Sequence, residues 1–318
     1  MRIGFPTPNR GAMATPEVLP TLLQKGEELG FAYTFVSDHI VVPNTIQSHY
    51  PYDQAGRFTA YSAGCMEQLA ELGYLAGITR KLGLLTSIMV VPHRHPIITA
   101  KALATIDVLS GGRLIVGCGA GWLAEEFLLV GAPPYEHRGR VTEEYIQAFK
   151  ELWTSDAPTF DGEFVSFSDI SFLPKPVQKP HPPIWLGGDG PAAMRRAARV
   201  GDVWYPIGNN DTRPLNTLER YTAAVTRLRA YAEAADRDPA DVGLAYKCLK
   251  YNENEAVMLD GGERQAFSGS AHQIADDIKR FEDLGVGNLT LALSAPSLEE
   301  TLARMERFAE EVMPKTKG

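Results

Sequence analysis

Cysteine is scarce in this chain, with three among 318 residues: Cys65, Cys118 and Cys248, far apart and set in apolar surroundings. An odd number with no CxxC pair excludes a disulfide framework and suits reduced core thiols. No stretch reaches the roughly 18 consecutive apolar residues that a membrane-crossing helix needs. The opening MRIGFPT runs straight into a strand-like segment, without the basic and apolar regions of a signal peptide, so a cytoplasmic location is expected. Blocks of like charge are also missing. The 31 basic and 39 acidic residues are interspersed and sum to −8, which argues against a nucleic-acid partner or an anionic membrane surface. HExxH, GxSxG and GxxxxGK[ST] do not occur, so zincin, α/β-hydrolase and P-loop chemistry lack their signatures. His93 and His95 stand two apart beside prolines, but no carboxylates cluster with them, and no metal site is expected.

What is present is an alternation. Short β-rich apolar runs bounded by Gly, Pro or Asp occur at 2–7, 33–39, 82–90, 113–121, 183–189, 202–208, 242–248 and 288–293. Each is followed by a helical pattern, at 16–30, 60–80, 96–110, 138–154, 191–200, 214–235, 272–285 and 297–313. Pro191 at a first turn and Ser297 three residues before Glu300 are helix-start signals. Runs as continuously apolar as RLIVGC and LGLLTSIMV read as strands buried on both faces, hence a parallel sheet covered by helices. Eight βα units in about 300 residues predict a single-domain α/β TIM barrel spanning 1–318. Residues 155–182 alternate like a hairpin and then turn proline-rich, an insertion before the fifth strand. The long polar stretch 251–270 is a lid candidate.

The barrel turns position into a site map, because side chains at the C-terminal strand ends build the mouth. Asp38 and His39 end the second run and are the catalytic candidates, with a loop-capping Asp and a structural His as the plainer alternative. The third run ends in Thr86, Ser87 and Ile88, small and hydroxylic residues suited to close backbone approach. On the fourth, Gly117, Gly119 and Gly121 alternate, which suggests that something flat lies against the sheet. They are not a dinucleotide fingerprint, since the third glycine of GxGxxG would fall on Trp122. The fifth run ends in Gly187, Gly188, Asp189 and Gly190 before a helix opening at Pro191. Free N–H groups and the helix dipole there suit an anion such as a phosphate, or form an ordinary turn.

The run KALATIDVLSGGRLIVGCGAGW (101–122), with SDH (37–39) and PIWLGGDGPAAMRRAARVGDVW (183–204), resembles the luciferase-like monooxygenase family, in particular its coenzyme F420-dependent oxidoreductase branch. The resemblance covers essentially the whole chain. It implies a TIM barrel holding F420, or alternatively FMN, with the ring in the barrel mouth. Ser87-Ile88 matches the position of a non-prolyl cis peptide behind the ring. Gly117 to Gly121 match the wall beside the ring, Gly187 to Gly190 the phosphate loop, and Arg138 a recurrent arginine that lines the cofactor or closes the site. Asp38 and His39 match an acidic-basic pair, the His exchanging a proton with substrate while the Asp holds its orientation. The family's sugar-phosphate dehydrogenases carry a catalytic glutamate where Trp122 stands here, so a sugar phosphate is not expected. Trp122 with Tyr50, Tyr52 and Phe58 suggests an apolar or aromatic organic substrate, or merely packs the loop.

The expected function is therefore hydride exchange between F420 and a small organic molecule. An FMN-dependent monooxygenase fed by a partner flavin reductase is the near alternative. A non-catalytic flavin-binding protein and a metal-dependent sugar isomerase on the same barrel are those of other classes. A homo-oligomer is expected, with the second and third barrel helices supplying the contact.

Overall fold

The computed structural model describes residues 1–53, 55–58 and 65–316. Its elements follow the predicted alternation: β1 (Arg2–Pro6), α1 (Val18–Glu28), β2 (Tyr33–Val36), α2 (Gln68–Ile78), β3 (Gly83–Thr86), β4 (Met89–Val90), α3 (Pro96–Ser110) and β5 (Leu114–Gly119). Next come α4 (Ala124–Leu129), α5 (Arg138–Thr154), β6 (Phe160–Asp161), β7 (Ser166–Phe167), β8 (Ile184–Leu186), α6 (Pro191–Val200), β9 (Val203–Trp204) and α7 (Leu218–Glu233). The chain finishes with β10 (Gly243–Cys248), α8 (Ala271–Asp283), β11 (Val286–Leu291), α9 (Leu298–Arg307) and a short α10 (Met313–Thr316).

All strands except β6 and β7 join one parallel sheet in the order β3, β2, β1, β11, β10, β9, β8, β5, β4. The β3–β5 pairing, Leu84 opposite Leu114, closes it into an eight-stranded TIM barrel whose third stave is β3 continued by β4. Between them the register slips by one residue: Leu85 faces Ile115 while Met89 faces Cys118. This bulge falls at Ser87–Ile88, whose peptide bond is cis. Strand alternation splits the buried side chains into two cores. Tyr33, Phe35, Leu85, Ile115, Trp185, Tyr205 and Ala245 fill the barrel interior, while the opposite faces pack under the helices. The interior is largely aromatic, with Trp185 5.6 Å from Tyr33 and 5.3 Å from Tyr205.

Several boundaries differ from the periodicity. Of the predicted helix 60–80, residues 60–64 lie outside the described residues, and α2 begins at Gln68 with the Glu67 side chain capping Ala70 N–H. The second run leaves the sheet at Val36, so Asp38 and His39 sit just beyond it. The sixth stave is only two residues long, extended by a single bridge from Ile207 to Lys247. A helix absent from the prediction, α4, follows the fourth stave; its six residues are too few to show a period. The 155–182 segment does carry a hairpin, β6 with β7. The Ser297–Glu300 capping box is present. The 251–270 segment is not loose along its length: Phe267 is fully buried against Tyr246 and Phe281, and Arg264 is paired with Asp277. Met258 near its tip is exposed. Among the described residues no helix is long and apolar enough to cross a membrane.

Candidate active site

A cavity of about 800 Å³ opens at the C-terminal mouth of the barrel. Of the sequence-predicted residues it brings together Asp38, His39, Ser87, Ile88, Gly119, Gly121, Arg138, Gly187, Gly188 and Gly190. Thr86, Gly117 and Asp189 do not line it. The Thr86 hydroxyl donates to the Gly117 carbonyl at 2.7 Å, and a Cβ on Gly117 would lie 2.0 Å from the Thr86 carbonyl oxygen. Both residues serve the close approach of β3 and β5. One oxygen of Asp189 is buried without a hydrogen-bond partner among the described residues.

The expected Asp38–His39 partnership is replaced by two separate ones. Asp38 is buried and takes both arms of Arg94, at 2.8 Å each, together with the Val90 N–H at 2.8 Å. Its carboxylate thus ties the second stave to the segment after β4. His39 is oriented by Glu126, whose Oε2 lies 2.7 Å from Nδ1. Glu126 is fully buried in the first turn of α4, and its other oxygen accepts the N–H groups of Ile40 at 2.7 Å and Val41 at 3.2 Å. A carboxylate so placed accepts the hydrogen bond of an Nδ1–H and thereby favours the Nδ1-protonated tautomer. Next to it, Glu125 accepts the Ser48 hydroxyl at 2.6 Å and the N–H groups of Gln47 and Ser48. Slight burial raises this carboxyl, but those hydrogen bonds outweigh it and hold the pKa at about 2. The two neighbouring glutamates thereby staple the loop after β2. Sequence reasoning missed Glu126. The available signal was the acidic pair in AEE directly after the glycine run, at a helix start that favours negative charge.

The cavity floor is Ser87, Ile88 and Lys247. A Cβ on Gly187 would lie 2.1 Å from Ile88 Cδ1, and one on Gly119 3.3 Å from it. The flat object that the glycines accommodate is therefore, in part, the Ile88 side chain. Lys247, at the end of β10, is buried and donates to the Ser87 carbonyl at 2.9 Å and hydroxyl at 2.7 Å. Burial, and then the nearby Arg10, lower this amine to about 7. Lys247 was also missed; in VGLAYKC it reads as one polar residue on an apolar strand.

At the far side, Gly188 has φ of 99°, a conformation natural to glycine. A Cβ on Gly190 would meet nothing closer than Arg213, at 3.7 Å. Arg138, Arg196 and Arg213 line this end at the N-terminus of α6. Arg138 lies over the Tyr135 ring at 3.9 Å and donates to the Tyr135 carbonyl, while Arg196 donates to the Gly139 carbonyl. Burial raises Asp189 to about 6. Over His39 stands an aromatic wall, with Phe58 at 5.2 Å and Trp122 at 6.2 Å. Tyr50 packs on both, 4.9 Å from Phe58 and 5.0 Å from Trp122. The loop after β2 reaches across to the loop after β9, where His49 meets Asp211 and the Asp211 N–H donates to the Pro51 carbonyl.

A closed parallel barrel whose mouth cavity holds three arginines and a carboxylate-held histidine has the architecture of a TIM-barrel enzyme site. Residues 1–251 match the luciferase-like monooxygenase family, and the chain belongs to it. An FMNH2-dependent dimethylsulfone monooxygenase of Pseudomonas putida is 38% identical over 205 residues, 63% of this chain and 54% of that protein. The chain thus spans about half the length of that relative. An uncharacterised protein of Mycobacterium bovis is 30% identical over 289 residues, 89% of each chain. Among solved structures, an F420-dependent secondary alcohol dehydrogenase superposes with a TM-score of 0.77 at 20% identity, covering 100% of this chain and 99% of that one. A long-chain alkane monooxygenase gives 0.73 at 16%, covering 99% and 90%. The chain is accordingly a member of the luciferase-like monooxygenase family on a TIM-barrel fold.

Proposed function

We propose that the protein exchanges a hydride between coenzyme F420 and a small apolar organic substrate, with His39 moving the accompanying proton. The observation that carries this reading is the buried His39–Glu126 pair facing the same cavity as the Ser87–Ile88 floor and the anion end. The residues present fit a phosphorylated planar ring. The cavity has the volume of a cofactor site, Ile88 offers a flat apolar face over Gly119 and Gly187, and α6 with three arginines receives negative charge. The bound cofactor would supply the hydride chemistry. The chain's own residues orient and protonate. Glu126 accepts from Nδ1 and fixes the imidazole of His39, which lines the cavity, the Tyr50, Phe58 and Trp122 wall excludes water, and Arg138, Arg196 and Arg213 hold the anionic end.

FMN-dependent oxygenation is the second reading, favoured by the identity to the dimethylsulfone monooxygenase; a flavin reductase would then be the partner. Fluorescence titration of the purified protein with FMN and with F420 separates the two, using wild type and Gly190→Asp. Open space at Gly190 lets the new carboxylate stand at the anion end without strain, so cofactor affinity should fall about tenfold. Tight F420 and weak FMN binding support the first reading, and the reverse supports the second. Failure of both cofactors to bind overturns the function proposed. The exposed Tyr74 of α2 and Ile98 and Leu109 of α3 suit the homo-oligomeric contact, which size measurement in solution tests.

A further inference from the structure

The most unusual charge in the molecule is Lys247. It is buried where it lines the cavity beside Ser87, and among the described residues no carboxylate pairs with it. The groups that face it are Ser87 from the bulge, the Phe35 ring 5.0 Å away on β2, Tyr205 at 6.0 Å after β9, and the charged Arg10 after β1. Arg10 is a like charge, and Tyr205 is held as a neutral phenol by its burial. An ammonium group has three N–H donors, yet among the described residues the acceptors it meets are the two oxygens of Ser87. A neutral amine has two N–H bonds and matches that supply. A cation here without an anion is a standing cost, and the amine accordingly titrates at about 7. What the floor lacks is a negative group entering from the open side.

We propose that Lys247 supplies the positive counter-charge for the anionic pyrimidine edge of the ring bound on this floor, gaining its proton as the ring enters. The proposal rests on the flavin or deazaflavin reading above. Both ring systems carry negative charge along the N1–C2 carbonyl edge in their ionised forms, and a positive group beside that edge tunes the ring. The proton comes from solvent and stays on Nζ, so no oxidant or reductant is required. Lys247 acts here by contact with the cofactor, in addition to tying β10 to the bulge.

The test is isothermal titration of F420, and separately of reduced FMN under anaerobic conditions, into the protein at pH 8. Buffers of differing ionisation enthalpy give the number of protons taken up. Wild type should take up close to one proton with whichever cofactor binds. Lys247→Gln keeps N–H donors for Ser87 but accepts no proton. It should take up none and bind that cofactor about tenfold more weakly, the factor equivalent to one pKa unit of coupling. Binding by wild type with no proton uptake overturns the proposal without recourse to a variant. Equal proton counts and affinities in wild type and Lys247→Gln also overturn it while leaving the cofactor reading intact. If neither cofactor binds wild type, the two fall together.

Discussion

Replacing Glu126 tests whether one buried carboxylate both pins a loop and sets a tautomer. Glu126→Ala removes the acceptor of three hydrogen bonds, from His39, Ile40 and Val41. Breaking a buried pair costs about 3–5 kcal/mol; because Ile40 and Val41 are at the surface or close to it, water can replace part of the loss, and the lower end applies. With about 2.1 cal/mol/K of unfolding entropy per residue, a chain of 318 residues loses about 1.5 °C of Tm per kcal/mol, so the fall should be about 4–5 °C by calorimetry. Glu126→Gln separates the two roles. Its carbonyl can still accept the backbone N–H groups, limiting the Tm loss to about 2 °C. Its amide then donates to Nδ1, which reverses the imidazole tautomer, and catalysis should fall about 10²–10⁴-fold. Nitrogen NMR of His39 reads the tautomer directly. An unchanged Tm in Glu126→Ala refutes the pinning, and full activity in Glu126→Gln refutes the orienting role.

Other consequences follow from the remaining buried charges. Glu71 on α2 is buried with both oxygens unpartnered, and burial, then Glu67, raises it to about 8. The folded state therefore holds this proton more tightly than the unfolded chain, so stability falls as pH rises from about 4.5 to 8, by at most about 4–5 kcal/mol. Glu71→Gln should abolish that fall, making the variant the more stable protein at pH 8 and not at pH 4; matching pH profiles would refute it. Arg94→Met leaves the Asp38 carboxylate buried with only the Val90 N–H, and should cost about 3–5 kcal/mol in denaturant unfolding. Trp185→Ala opens the barrel interior between Tyr33 and Tyr205, and an unfolding cost below about 3 kcal/mol would contradict the layered packing. Trp122→Ala removes one wall over His39 and should raise KM for apolar substrates more than it lowers kcat.

The barrel was legible because its signal is repetitive. Eight apolar runs separated by helical periods each confirm the others, and RLIVGC and LGLLTSIMV announce burial on both faces. Boundaries were less legible where tertiary contacts override the period. The second run keeps its apolar character to Val36, but the chain then turns into the mouth, and the polar lysine of β10 gives no hint that it points inward.

Sequence by itself determined the class of fold and brought His39 and most of the singled-out glycines to the cavity at the barrel mouth. These depend on local periodicity and on residue types that only a few backbone conformations permit. Only the tertiary structure decided the partnerships: Asp38 with Arg94, His39 with Glu126, Lys247 with Ser87, and Ile88 lying over Gly119 and Gly187. Those pairs join residues separated by 31 to 160 positions, brought together by closure of the sheet. The family resemblance implied that Asp38 serves His39, yet successive residues along an extended chain point to opposite sides. The carboxylate that reaches the imidazole comes instead from α4, the helix that follows β5.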